Sequence, residues 1–161
     1  KLIESYKKLK IAANSQINSA NIGFHTLKKY SSIDCLSMNY FELQHETRSY
    51  KGDIKLLSEQ LSKKLKIAKL FVTNGSNGSS LYNKKLDKFV TAPGVKFNIV
   101  DRTGSGDTYF SMAALSNFIN TNDYESIYLS TILSFFNLKH FANKENINID
   151  DFKKVLQYSL K

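Results

Sequence analysis

The chain has 161 residues, 42% of them hydrophobic, with 11 Phe and 9 Tyr; that content excludes a disordered chain and supplies a core for one globular domain. No apolar run reaches the roughly 18 residues of a membrane span, and a single cysteine, Cys35, excludes an internal disulfide. The formal charge is +9, but Arg48 and Arg102 are the only arginines and the lysines lie in scattered pairs. The charge therefore reads as a solvated surface that helps attract an anionic ligand, and a specific nucleic-acid partner, which would favour the arginine fork, is not expected; the rival reading is a non-catalytic basic α/β module that binds nucleotide or nucleic acid.

Residues 10–13 predict a short strand that hands over to the polar run Asn14-Ser15-Gln16. Ser19 looks like the cap of a helix running to about Tyr30, with Ile22, Phe24 and Leu27 as its apolar positions. Residues 34–38 form the next strand candidate, followed at once by Asn39 and an expected helix from Tyr40 to about Tyr50. Asp53 can cap a further helix carrying Ile54, Leu57, Leu61 and Leu65 at spacings of three and four. Residues 69–73 are a strand by their β-branched and aromatic content, bounded by Asn74-Gly75-Ser76-Asn77-Gly78. Residues 79–82 and 86–91 flank a turn and predict a small hairpin, closed by Pro93-Gly94. A strand over 97–100 then runs into Asp101-Arg102-Thr103-Gly104-Ser105-Gly106-Asp107, and helices are expected over about 108–119, 124–141 and 149–160.

Strands alternating with helices, without a repeat or a low-complexity linker, predict one α/β domain over residues 1–161. The expected architecture is three-layer: a mainly parallel sheet flanked by helices, plus the small hairpin. Ligands of such sheets bind at the carboxyl ends of the strands. The glycine clusters after Val72 and Val100 both sit at strand carboxyl ends, which places two candidate ligand loops on one rim.

The second cluster carries the stronger chemistry. Gly104 and Gly106 let a backbone approach a ligand and align consecutive N–H groups, and a helix starting there adds its positive dipole end. Asp107 beside that anion cradle suits removal of a proton from a hydroxyl that attacks a phosphoryl group. Spacing alone fits an ordinary strand-to-helix turn capped by Asp107 equally well.

The run 101–107 resembles the Asp-Thr-x-Gly-Ala-Gly-Asp signature of the ribokinase-like (PfkB) carbohydrate kinases, with Arg102 in place of the commoner Thr and Ser105 in place of Ala. Neither departure removes a backbone amide or the carboxylate. Thr73-Asn74-Gly75-Ser76-Asn77-Gly78 resembles that family's Thr-x-Gly-x-x-Gly, and Asn39-Tyr40-Phe41-Glu42 its Asn-x-x-Glu, in the family's order. The resemblance implies an ATP-dependent sugar kinase with Asp107 as catalytic base and the amides of Gly104, Ser105 and Gly106 as anion hole. It implies Asn39, Thr73, Gly75, Gly78 and Asn137 along the nucleotide, and Glu42, Asp101 and Thr103 in the metal environment. Asn39 and Glu42 would organise Mg²⁺ through water.

Residues 138–145 resemble a late family loop that, with Asp101, surrounds a monovalent cation such as K⁺, although no glycine occurs there. Asn14-Ser15-Gln16 reads equally well as a polar stretch of related kinases or as a loop with Asx turns. His25, His45 and His140 are isolated and read as surface or packing residues, and Cys35 as a small buried hydrophobe. The expected cofactors are ATP, Mg²⁺ and a monovalent cation, and the expected partners are ATP and a small sugar, with no membrane and with a homodimer admitted. A cytoplasmic location and no signal peptide are expected. The resemblance covers the carboxyl-terminal half of the family's architecture, so a fragment, or a natural nucleotide-binding remnant, is expected to expose a sheet edge where earlier strands belong.

Overall fold

The structure is a computed structural model that describes residues 9–17, 27–94, 103–138 and 148–159. Strands β1 (Ala12–Asn14), β2 (Ile33–Asn39) and β3 (Ile67–Thr73) lie side by side and parallel. Their carboxyl ends are level, because Asn14 pairs with Ser37 and Asn39 with Thr73. Strands β4 (Ser79–Asn83) and β5 (Lys88–Ala92) extend the same sheet in the order β1-β2-β3-β4-β5, each antiparallel to the strand before it. Four of the five described strands therefore point one way, with β4 reversed, and the sheet is mainly parallel.

The hairpin is a full part of this sheet rather than an addition to it. Only five residues separate Thr73 from Ser79, including a 3₁₀ turn at Gly75–Asn77. A parallel neighbour needs a crossover of a dozen or more residues, so a chain this short can only fold back antiparallel.

Alternation along the strands gives the sheet two apolar faces. Leu36, Met38, Leu70 and Val72 point to one, where helices α1 (Tyr40–Thr47) and α2 (Ile54–Leu65) cover them with Leu43, Leu57 and Leu61. Cys35, Phe71, Leu81 and Val90 point to the other, where α3 (Ser105–Phe118) and α4 (Asp123–Leu138) bring Tyr109, Ala113 and Ile127. A fifth helix, α5 (Ile149–Ser159), packs Phe152, Val155 and Leu156 on Ile132, Phe135 and Phe136 of α4. Three layers result, as the alternation of elements predicted.

Asp53 caps α2 as expected, its Oδ1 accepting the N–H groups of Lys55 and Leu56 at 2.9 and 3.2 Å. The first of these helices stops at Thr47 rather than near Tyr50, because Arg48 takes a left-handed conformation (φ 54°). The helix expected through Tyr30 has its described end, Leu27–Lys29, as a 3₁₀ turn. Leu27 is the one buried residue of that turn, and β2 begins at Ile33, four residues after its end. The body of that helix, the strand expected over 97–100 and the end of the helix expected through Phe141 lie outside the described residues. No helix among the described residues is long and apolar enough to cross a membrane.

Candidate active site

A cleft of about 200 Å³ opens where the carboxyl ends of β1, β2 and β3 meet the amino terminus of α3. Asn14, Ser15 and Gln16 line it from the first strand, Ser37, Met38 and Asn39 from the second, Thr73 from the third, and Gly104, Gly106 and Asp107 from the helix. Glu42, from the first turn of α1, completes the wall.

The helix end is built by glycine. Gly104 precedes α3 in a left-handed conformation (φ 78°) that side chains resist, and its carbonyl accepts both the N–H and the hydroxyl of Thr108, at 2.9 and 3.0 Å. A β-carbon added at Gly106 would meet nothing within 4 Å, so the turn borders open space. The first N–H groups of an α-helix have no acceptor within it and carry the positive end of its dipole. Asp107 is the third residue of α3 and is exposed; its Oδ1 accepts a 3.1 Å hydrogen bond from the Asn14 side-chain amide.

Asn39 and Glu42 first serve the helix that they begin. The Asn39 Oδ1 accepts the Glu42 N–H at 2.8 Å and Glu42 Oε2 accepts the Asn39 N–H at 2.8 Å, a reciprocal capping box. Glu42 Oε1 accepts a third N–H, from Ile17 at 3.0 Å, which ties the loop after β1 to α1. Burial pushes the Glu42 carboxyl above the usual carboxylate range, and the Asn39 and Ile17 N–H groups hold it back.

Asn39, Glu42, Thr73, Gly104, Gly106 and Asp107 thus share one cleft, while Gly75, Gly78, Thr103 and Ser105 do not line it. Gly78 (φ 92°) has a packing reason to be glycine: a β-carbon there would lie 2.1 Å from the Ala92 carbonyl oxygen. Asp101, the Asn137 side chain and residues 139–147 fall outside the described residues. What the motif reading left out is the contact of Asn14 with Asp107, 93 residues apart. The available signal was position, since Asn14 ends a strand on the rim that carries the glycine loops.

Among the described residues the lining includes two carboxylates and neither a lysine nor an arginine. Among the described residues no group of three or more His, Cys, Asp or Glu could hold a metal ion directly. At the start of α3 the main-chain N–H groups and the helix dipole favour an anion.

The fold has many counterparts. A phosphofructokinase-2 variant from Escherichia coli is 14% identical, with a TM-score of 0.78 over 99% of this chain and 51% of its own. Ribokinase from Thermotoga maritima is 18% identical, with a TM-score of 0.73 over 95% of this chain and 52% of its own. Ribokinase from Arabidopsis thaliana, solved with ribose and ATP, is 25% identical, with a TM-score of 0.61 over 70% of this chain and 36% of its own. The chain spans about half the length of the first two structures. No curated protein matches it. The profile of the pfkB family carbohydrate kinases matches residues 2–128, which takes in all three motifs and the cleft they line, and the chain belongs to that family.

Proposed function

We propose that this chain is the nucleotide-holding half of an ATP-dependent carbohydrate kinase, which moves the terminal phosphoryl group of ATP to a hydroxyl of a small sugar. The observation that carries the reading is the placement of Asp107 on the first turn of α3, in the same cleft as the ends of three parallel strands. The Arabidopsis ribokinase that shares this fold was solved with ribose and ATP, which supports both ligand classes.

In this reading the Asp107 carboxylate takes the proton of the sugar hydroxyl as its oxygen bonds to phosphorus. The bond from that phosphorus to the bridging oxygen breaks and ADP leaves. The amides of residues 104–107 stabilise charge on the transferring group, the task for which fixed dipoles are most effective. Mg²⁺ neutralises phosphate charge when bound. Glu42 and Asn39 suit it only through water, since each Glu42 oxygen already accepts a main-chain N–H, and Mg²⁺ commonly keeps several waters.

Asp107→Asn in the full-length kinase tests the assignment. Turnover should fall by about 10²–10⁴-fold, the usual worth of a positioned general base, while calorimetric nucleotide affinity stays close to wild type. Near-normal turnover would remove Asp107 from the role of base.

A further inference from the structure

We infer that Asn14 is a positioning residue for the catalytic base, holding the Asp107 carboxylate in the orientation from which it takes the proton. This inference rests on the carbohydrate-kinase reading above. The Asn14 side-chain amide donates to Asp107 Oδ1 at 3.1 Å across a sequence separation of 93 residues.

Both backbones at this contact are fixed. Asn14 ends β1, which is anchored at its start by the Ile11 N–H donating to Asp34 Oδ2 at 2.7 Å. It is anchored past its end by the Ser15 N–H donating to the Ser37 carbonyl at 2.9 Å, and by the Ile17 N–H donating to Glu42 Oε1 at 3.0 Å. Asp107 lies in the first turn of α3, where its carbonyl accepts the Ser111 hydroxyl at 2.8 Å. What remains free at Asp107 is the rotation of its side chain, and the amide of Asn14 is the group that sets it.

The pair is solvent-exposed, and a hydrogen bond in water adds little to folding stability, so its value is geometric. With Oδ1 engaged by the amide, the incoming proton falls to Oδ2, and one of the two carboxylate oxygens is selected for the reaction. Glu42 enters the same device indirectly, because it clasps the loop that Asn14 begins.

The test uses the full-length kinase with Asn14→Ala, the isosteric Asn14→Asp, Asp107→Asn, and the double variant Asn14→Asp/Asp107→Asn. Turnover, nucleotide affinity and melting temperature are measured for each. Asn14→Ala should lower kcat by about 10²-fold with the KM for nucleotide little changed, because a misplaced reacting group costs rate rather than binding. Asn14→Asp should lose at least as much despite its identical shape, since it exchanges a donor for a like charge. In the Asp107→Asn background the same change at position 14 should cost almost nothing, and melting temperatures should stay together. Turnover lost in Asp107→Asn but kept in Asn14→Asp would overturn the inference alone. Equal losses from Asn14→Asp in both backgrounds would also overturn it, by showing a structural role. Turnover kept in Asp107→Asn would overturn the kinase assignment of the base and the inference together.

Discussion

Cys35 shows how a single position is decided by its surroundings. It lies fully buried on β2, and burial pushes its thiol up from 9.0 to about 12, with Lys69 pulling it down and Asp34 pushing it up. Between those two values the unfolded chain releases the proton and the folded chain keeps it, so folding stability falls as pH rises through this window and is insensitive to Cys35 below it. Denaturant melts at pH 8 and pH 10 should show a larger alkaline loss in the wild type than in Cys35→Ala. Equal losses would contradict the burial. Gly78 carries a second prediction. An alanine there meets the Ala92 carbonyl and an unfavourable positive φ together, so Gly78→Ala should cost about 3 kcal/mol in a chemical melt. The apolar setting of Cys35 was legible in the sequence, as was the start of α1 at Tyr40, while the capping box of Asn39 and Glu42 was not read there. The reason for glycine at 78 was not, because the Ala92 oxygen that demands it lies 14 residues along the chain.

The elements follow their local signals up to the ends, where tertiary contacts take over. Helices α1 and α2 both stop at a residue other than glycine in the left-handed region, Arg48 at φ 54° and Lys66 at φ 53°. Neither ending was legible, since nothing about arginine or lysine favours that conformation. Lys66→Gly should raise stability by about 0.5–1 kcal/mol by relieving it, read as a higher melting temperature. The hairpin is locked to α4 by a buried cluster that no sequence pattern indicated. Asp123, at the start of α4, accepts both contacts of the Asn83 amide at 2.9 and 3.1 Å and pairs with Lys69 at 2.9 Å. Asp123→Ala leaves a mostly buried ammonium and an amide without their partner, and should cost about 3 kcal/mol in a chemical melt. A loss under 1 kcal/mol would mean that water replaces the carboxylate easily there.

At the scale of the molecule, the alternation of strand and helix was enough to bring the ends of β2 and β3 to one rim, because parallel strands share a carboxyl end. The membership of β4 and β5 in the main sheet was not read from the hydrophobic pattern, and its signal lay in the short connection from Thr73 to Ser79. Among the described residues β1 is the end strand of the sheet, spans only Ala12–Asn14 and is partly exposed, and the chain covers 51% of the phosphofructokinase-2 it resembles. Positioning a hydroxyl and excluding water can supply roughly 7–11 kcal/mol of catalysis, and in the proposed reading the rim formed by the described residues serves the phosphate side of that arrangement. The 161-residue chain should therefore give no sugar-dependent ADP release with hexoses, pentoses or heptoses, as a coupled assay would show. The proposed reading expects this chain to bind nucleotide all the same. The most direct measurement is a calorimetric titration of Mg·ATP into this chain: saturable binding with a Kd on the order of 1 mM or tighter is the expected result, and no binding heat at millimolar nucleotide would contradict the cleft as a phosphate-holding site.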